Sequence, residues 1–192
     1  MFPMWATFLF EEYRAKRIAS YLSKFVKSGE TVLDCGCGSL LIAQKLQKLS
    51  GIKVFGVDVI NLNRTNLSMC LCPGERMAFA NRSVSVVCLN FVLHHTEDPL
   101  ETLRECLRVT RHRVIILEDI YQNQLELKLL KVLDWTGNRS VSVHMNLPFN
   151  FKSENEWRDI FATLDVELVA VENVRPIPWR PSRHRLFVLD KN

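Results

Sequence analysis

Apolar positions change their spacing along this chain, and each change marks an element. Between residues 6 and 27, Phe10, Tyr13, Ile18, Tyr21, Leu22 and Phe25 recur near a period of 3.6, which predicts a helix ended by Gly29. Residues 31–35 are a short apolar, partly β-branched run that reads as a buried strand, followed by Gly36 and Gly38 and by a helical pattern over 40–49. A second buried strand is expected at 53–58, closing a right-handed βαβ unit. The stretch 61–82 offers only a short strand at Met69 to Cys72 and a turn at Pro73-Gly74. A strand over 84–91, a helix over 99–109 with Pro99 in its first turn, and a strand from Arg113 to Leu117 come next. Tyr121 to Trp135 repeats helically through Leu125, Leu129, Val132 and Leu133, and Thr136-Gly137-Asn138 is expected to break it. Ser153 and Glu156 have the spacing of a capping box opening a helix to about Leu164. Strands at Val166 to Val174 and His184 to Leu189 follow, joined by the proline-rich segment Arg175 to Pro181. Strands alternating with helices in this way predict an α/β fold.

Composition narrows the picture without redirecting it. The length of 192 residues and 47% apolar content suit one domain with a sizeable core. No apolar run reaches the roughly 20 residues that span a bilayer, so no membrane partner is expected. Met1 to Phe10 lacks a basic leader and Glu11-Glu12 follow it, so the expected location is cytoplasmic. Six cysteines invite a zinc or disulfide reading, but Cys35/Cys37 and Cys70/Cys72 are too closely spaced for a zinc knuckle, and core packing is expected. A net charge of +4 is too small to point to nucleic acid. Basic residues do gather late in the chain, where Arg175, Arg180, Arg183 and Arg185 accompany Trp179 and His184 with no acid between Glu172 and Asp190. That cluster is either a solvated loop or the wall of a pocket for an anionic ligand.

The candidate chemistry starts at the glycine turn. A buried strand, a turn that tolerates positive φ and a helix start place free backbone N–H groups at the C-terminal edge of a parallel sheet, where α/β folds bind ligands. Asp58 ends the next strand, and an acid about 20 residues past such a turn is the usual partner of ribose hydroxyls. A solvated carboxylate is the plain alternative.

Leu33-Asp34-Cys35-Gly36-Cys37-Gly38, then Val86 to His95, Asp98-Pro99 and Leu103 to Val109 together resemble the class I S-adenosylmethionine-dependent methyltransferases of the small, type 11-like group, in order over residues 10 to 119. The resemblance implies a three-layer Rossmann-like sandwich with a mostly parallel seven-stranded sheet, its last strand antiparallel. It also implies a single domain over 1–192, with a lid insertion around 120–150. It implies that S-adenosyl-L-methionine is the cofactor and that a small molecule accepts the methyl group by in-line displacement. Gly36 and Gly38 would let the backbone approach the cofactor, Asp34 would meet its amino-acid end, and Asp58 would take both ribose hydroxyls. Asn90 would lie on the methionine side and Gly74-Glu75 would border the adenine. Tyr13 and Arg17 would either reach the methionine carboxylate or simply face solvent. His95, with His94, would be a base for the acceptor proton or a lining residue.

Three departures stand against that pattern. Leu40 occupies the place of a third glycine, Pro73 the place of an adenine-contacting acid, and Ser85 that of an acid in the fourth strand. They keep open a catalytically silent, cofactor-binding relative. A nicotinamide-dependent dehydrogenase also uses two glycines and an acid, but Leu41 stands where its GxGxxG motif needs the third. Leu40 is expected to turn into the helix–sheet core with Ile42, Ala43 and Leu46 rather than into cofactor volume.

Overall fold

The computed structural model describes residues 4–139, 148–178 and 182–192, with side chains described from Leu9 and omitted at 138–139. In chain order the elements are α1 (Met4–Leu22), β1 (Thr31–Cys35), α2 (Leu41–Ser50), β2 (Lys53–Asp58), β3 (Met69–Leu71) and β4 (Val84–Asn90). They continue with α3 (Pro99–Val109), β5 (Thr110–Ile120), α4 (Gln124–Arg139), α5 (Glu154–Ala162), β6 (Val166–Val174) and β7 (Arg183–Lys191). The strands form one seven-stranded sheet in the order β3-β2-β1-β4-β5-β7-β6. Only β7 runs against its neighbours, pairing antiparallel with both β5 and β6.

Alternation along the strands builds the layers. Val86 and Cys88 of β4, Ile115 and Leu117 of β5, and Leu186 and Val188 of β7 face one core shared with Ile18 and Leu22 of α1 and Leu46 of α2. Their neighbours Val87, Leu89, Val114, Ile116, Phe187 and Leu189 face the other core, shared with Leu103 and Cys106 of α3 and Trp157 and Phe161 of α5. Strands buried on both faces explain the unbroken apolar runs in the sequence. Cys35, Cys37, Cys88 and Cys106 are free thiols inside these cores.

The sequence expectations differ from the structure in three places. The first helix stops at Leu22 and a 3-10 turn, Ser23–Phe25, carries the chain towards Gly29. Strand β5 begins at Thr110, directly after α3, where Thr110 pairs with Val84 of β4, and runs on to Ile120 because β7 pairs along it from Arg113 to Ile120. Helix α4 runs through Thr136-Gly137-Asn138 to Arg139. A single exposed glycine costs a helix only about 1 kcal/mol, and the Thr136 hydroxyl turns back to donate to the Leu133 carbonyl at 2.9 Å, so neither residue stops it. The capping box is formed: Ser153 Oγ accepts from Glu156 N, and the Glu156 carboxylate accepts from Ser153 N at 2.7 Å.

Candidate active site at the strand ends

The turn after β1 folds onto the tip of β2. Gly36 N and Cys37 N both donate to Val57 O, at 2.8 and 3.0 Å, and Gly38 N donates to Asp58 Oδ2 at 2.8 Å. Ile60 N takes the other carboxylate oxygen at 3.2 Å. Gly36 and Gly38 have φ of 71° and 48°, which side-chain-bearing residues adopt only under strain. At Gly36 a β-carbon would also stand 2.4 Å from Val92 Cγ2, so the loop after β4 can close on the turn only because residue 36 is glycine. Among the described residues nothing lies within 4 Å of the same position at Gly38.

Leu40 does turn into the core. It is the N-cap of α2 in left-handed conformation, φ 59°, and is 1% exposed. Gly56 makes its seat: a β-carbon there would stand 2.8 Å from Leu40 Cδ2 and 2.7 Å from Cys37 Sγ.

Asp34 lies inside the sheet, where Asn90 Nδ2 donates to its Oδ1 at 3.0 Å. Burial pushes the Asp34 carboxyl up to about 7; the Asn90 hydrogen bond opposes this and the Asp58 charge adds to it. Asn90 Oδ1 is buried without a hydrogen-bond partner among the described residues. Gly74 and Glu75 stand apart from this group, on the α3 side of β1. The Glu75 carboxylate accepts from Thr102 Oγ1 at 3.3 Å, and Gly74 lies against Cys35 and Thr102. Tyr13 is 41% exposed, on an outer groove with Lys16, Lys45, Lys48 and Leu49. Arg17 reaches the β6–β7 connection, donating to Arg175 O at 3.5 Å.

A second polar group follows β4. Glu118, fully buried, accepts from Val92 N at 2.9 Å, Leu93 N at 2.7 Å and, at 2.5 Å, faces His94 Nδ1. Phe151 stacks on the His94 ring, with centroids 4.5 Å apart. Asp134 of α4 approaches both imidazoles, at 3.6 Å from His94 Nε2 and 3.5 Å from His95 Nε2. Burial, the largest single influence, would pull His94 down, but the Glu118 charge, the hydrogen bonds with Asp134 and Glu118 and the Asp119 charge together outweigh it and push it up to about 10. Burial, then the His94 charge, pulls His95 down to about 4. Further along the same edge Asp119 Oδ1 meets His184 Nδ1 at 2.5 Å, and His184 packs edge-on against Phe91. Burial would raise the Asp119 carboxyl, yet its close contact with His184, together with the charges of His184, His94 and Arg14, holds it below the usual carboxylate range.

Residues 33–117 match the family described as methyltransferase domain. By that match the stretch is similar to a methyltransferase domain. It contains the glycine turn, Asp58, Asn90 and the His94-His95 pair. Among curated proteins, the ribosomal protein L11 methyltransferase of Thermosipho africanus is 26% identical over 121 residues, 58% of this chain and 46% of that protein. The Thermotoga maritima enzyme of the same name is 25% identical over 147 residues, 71% of this chain and 51% of that one. The chain thus spans about half the length of these curated relatives. In fold it is similar to a chain of the Haloferax volcanii complex between the Trm112 methyltransferase activator and a methyltransferase. That pair aligns with TM-score 0.71 and 18% identity over 91% of this chain and 90% of that one. Geranyl diphosphate C-methyltransferase from Streptomyces coelicolor, crystallised with Mg2+, geranyl diphosphate and S-adenosyl-L-homocysteine, aligns with TM-score 0.71 and 13% identity over 91% and 78% of the two chains.

Of the three departures from the methyltransferase pattern, two lose their force in the structure. Leu40 is out of the way in the core. Ser85 lies at the N-terminal end of β4, its Oγ accepting from Thr31 N at 3.2 Å, at the opposite end of the sheet from the glycine turn. The residues fit an adenosyl amino acid: Gly38 is open among the described residues, and Asp58 has lone pairs beyond the two it uses, since a carboxylate accepts about four hydrogen bonds. Asn90 Oδ1 has no hydrogen-bond partner among the described residues and can accept one. The arginine cluster is less available than its sequence suggests. Arg183 pairs with Glu126 and Arg185 with Glu154, while Trp179 and Arg180 lie outside the described residues. Sequence reasoning missed Glu118, Asp134 and the Asp119–His184 pair. A signal for Glu118 existed, because an acid in a strand buried on both faces must find a partner.

Proposed function

We propose that this chain transfers the methyl group of S-adenosyl-L-methionine to a small-molecule acceptor. The observation that carries the reading is the meeting of the glycine turn with the β2 carboxylate, Gly38 N on Asp58 Oδ2 at 2.8 Å, at the C-terminal edge of the sheet. The cofactor, when bound, supplies an activated sulfonium methyl group. The chain's own residues then have positioning to do rather than acid–base chemistry. In this reading Asp58 takes the ribose hydroxyls and Gly36 and Gly38 keep the backbone close. Asn90, held by Asp34, presents its free carbonyl oxygen to the amino-acid end, and Gly74-Glu75 borders the base. Helix α4, in the described part of the 120–150 segment, acts as the lid that excludes water. His95 lines the acceptor side. With a pKa brought to about 4 it stays neutral but is too weak a base to be poised for proton removal near pH 7.

An arginine-lined site for an anionic acceptor draws no support from Arg183 and Arg185, whose charges are met by glutamates. The test is incubation of the protein and a small-molecule extract with S-adenosylmethionine labelled on the methyl carbon. Label in the small-molecule fraction, dependent on Asp58, is the expected result. Label confined to added protein substrates would replace the small-molecule acceptor by a protein. Methyl transfer to neither, with cofactor bound, would support a silent relative.

A further inference from the structure

We propose that His94 Nε2, His95 Nε2 and Asp134 Oδ1 form a binding site for one divalent cation of the zinc class, which fastens α4 to the turn after β4. Among the described residues these three side chains bring ligand atoms within 4.8 Å of one another. Asp134 Oδ1 stands 3.6 Å from one imidazole nitrogen and 3.5 Å from the other. Both separations exceed the roughly 2.7–3.2 Å of an N–H···O hydrogen bond. They suit a shared ion better: metal–ligand bonds of about 2.0–2.2 Å in tetrahedral geometry put neighbouring ligand atoms roughly 3.3–3.5 Å apart.

The support around the ligands is that of a built site. Glu118 Oε2 engages His94 Nδ1 and so leaves Nε2 to face Asp134, the carboxylate–histidine arrangement that orients metal ligands; the entering cation displaces the Nε2 proton. Glu118 is itself fixed by Val92 N and Leu93 N, and the His94 ring is braced by Phe151. Asn150 N donates to His94 O at 3.0 Å, holding the backbone as well. Two imidazoles and one carboxylate favour zinc, cobalt or nickel over magnesium or calcium, which prefer oxygen. Three protein ligands leave a further position for water or for an oxygen or nitrogen of a bound molecule. This inference does not depend on the methyl donor.

The experiment is calorimetric titration of the chelator-stripped protein with Zn2+, and with Co2+ while the visible spectrum is followed. One equivalent of Zn2+ should bind, Co2+ should give the intense absorption of a tetrahedral site, and Mg2+ should not compete. Removing an outer-shell partner typically lowers metal affinity roughly 10–100-fold, so His95→Gln and Asp134→Asn, which lose a ligand, should each lower it more than about 100-fold. Zn2+ should raise the melting temperature of the wild type and of neither variant; circular dichroism checks that both are folded. Absence of saturable one-to-one binding overturns the site. So does equal binding in the variants, as the exposed thiol Cys70 and its half-buried neighbour Cys72 would give.

Discussion

At the scale of single residues, two side chains decide how the glycine turn works. Leu40 holds a left-handed backbone, which costs an L-residue about 1–2 kcal/mol, in return for a buried side chain whose loss costs about 2–5 kcal/mol. Burial wins, so Leu40→Gly should lower the stability by about 2 kcal/mol, read as a lower melting temperature, and leave affinity for S-adenosylhomocysteine unchanged. Tighter binding with no loss of stability would mean that Leu40 intrudes on the cofactor. Asp34 is the second. Its folded carboxyl titrates near 7 against 3.8 for the free group, because burial penalises the charge. A raised pKa stabilises fully below the unfolded value and is lost as pH rises through the folded one. Stability should therefore decline between about pH 4 and 7 by up to roughly 1.4 kcal/mol per pH unit from this group. Asp34→Asn removes the titration, so the melting-temperature difference, variant minus wild type, should grow from pH 5 to pH 8. A difference independent of pH would contradict the buried-carboxyl assignment. Neither Leu40's backbone nor Asp34's burial depth can be read from composition, because both are set by what packs on them, Gly56 and Asn90.

Among elements, legibility followed periodicity and local signals. The strands β1, β2, β4 and β6, the helix α3 and the Ser153–Glu156 cap were all visible in the sequence, since runs buried on both faces and caps are local patterns. Helix α4 runs past the end its sequence suggests because one exposed glycine, Gly137, costs too little to stop it. A β-carbon at Gly137 would meet nothing within 4 Å among the described residues, and its backbone is helical, so Gly137→Ala should stabilise the protein by up to about 1 kcal/mol. A lower melting temperature in that variant would argue that the helix ends before it. The His94–Glu118–Asp134 group was invisible for a different reason: its members come from the turn after β4, from β5 and from α4, and only the folded sheet brings them together. The same topology explains why Asp119 and His184 meet, since the antiparallel β7 places its first residues beside the last of β5.

For the molecule as a whole, the sheet order gathers the turn after β1, the tip of β2, the ends of β4 and β5 and the start of β7 on one edge. The central claim is that this edge binds an adenosyl cofactor through Asp58. A hydrogen bond to a charged group contributes about 1.5–3 kcal/mol, so losing both ribose contacts should weaken binding at least tenfold by the usual ~1.4 kcal/mol per decade. Asp58 also caps the turn by accepting from Gly38 N. Asp58→Asn, which can still accept that bond, therefore accompanies Asp58→Ala as a check that the turn survives. The deciding measurement is calorimetric titration of S-adenosylhomocysteine into the wild type and both variants. Saturable wild-type binding, weakened at least tenfold in Asp58→Ala and to an intermediate degree in Asp58→Asn, is the expected result; binding of equal strength in all three would contradict the account.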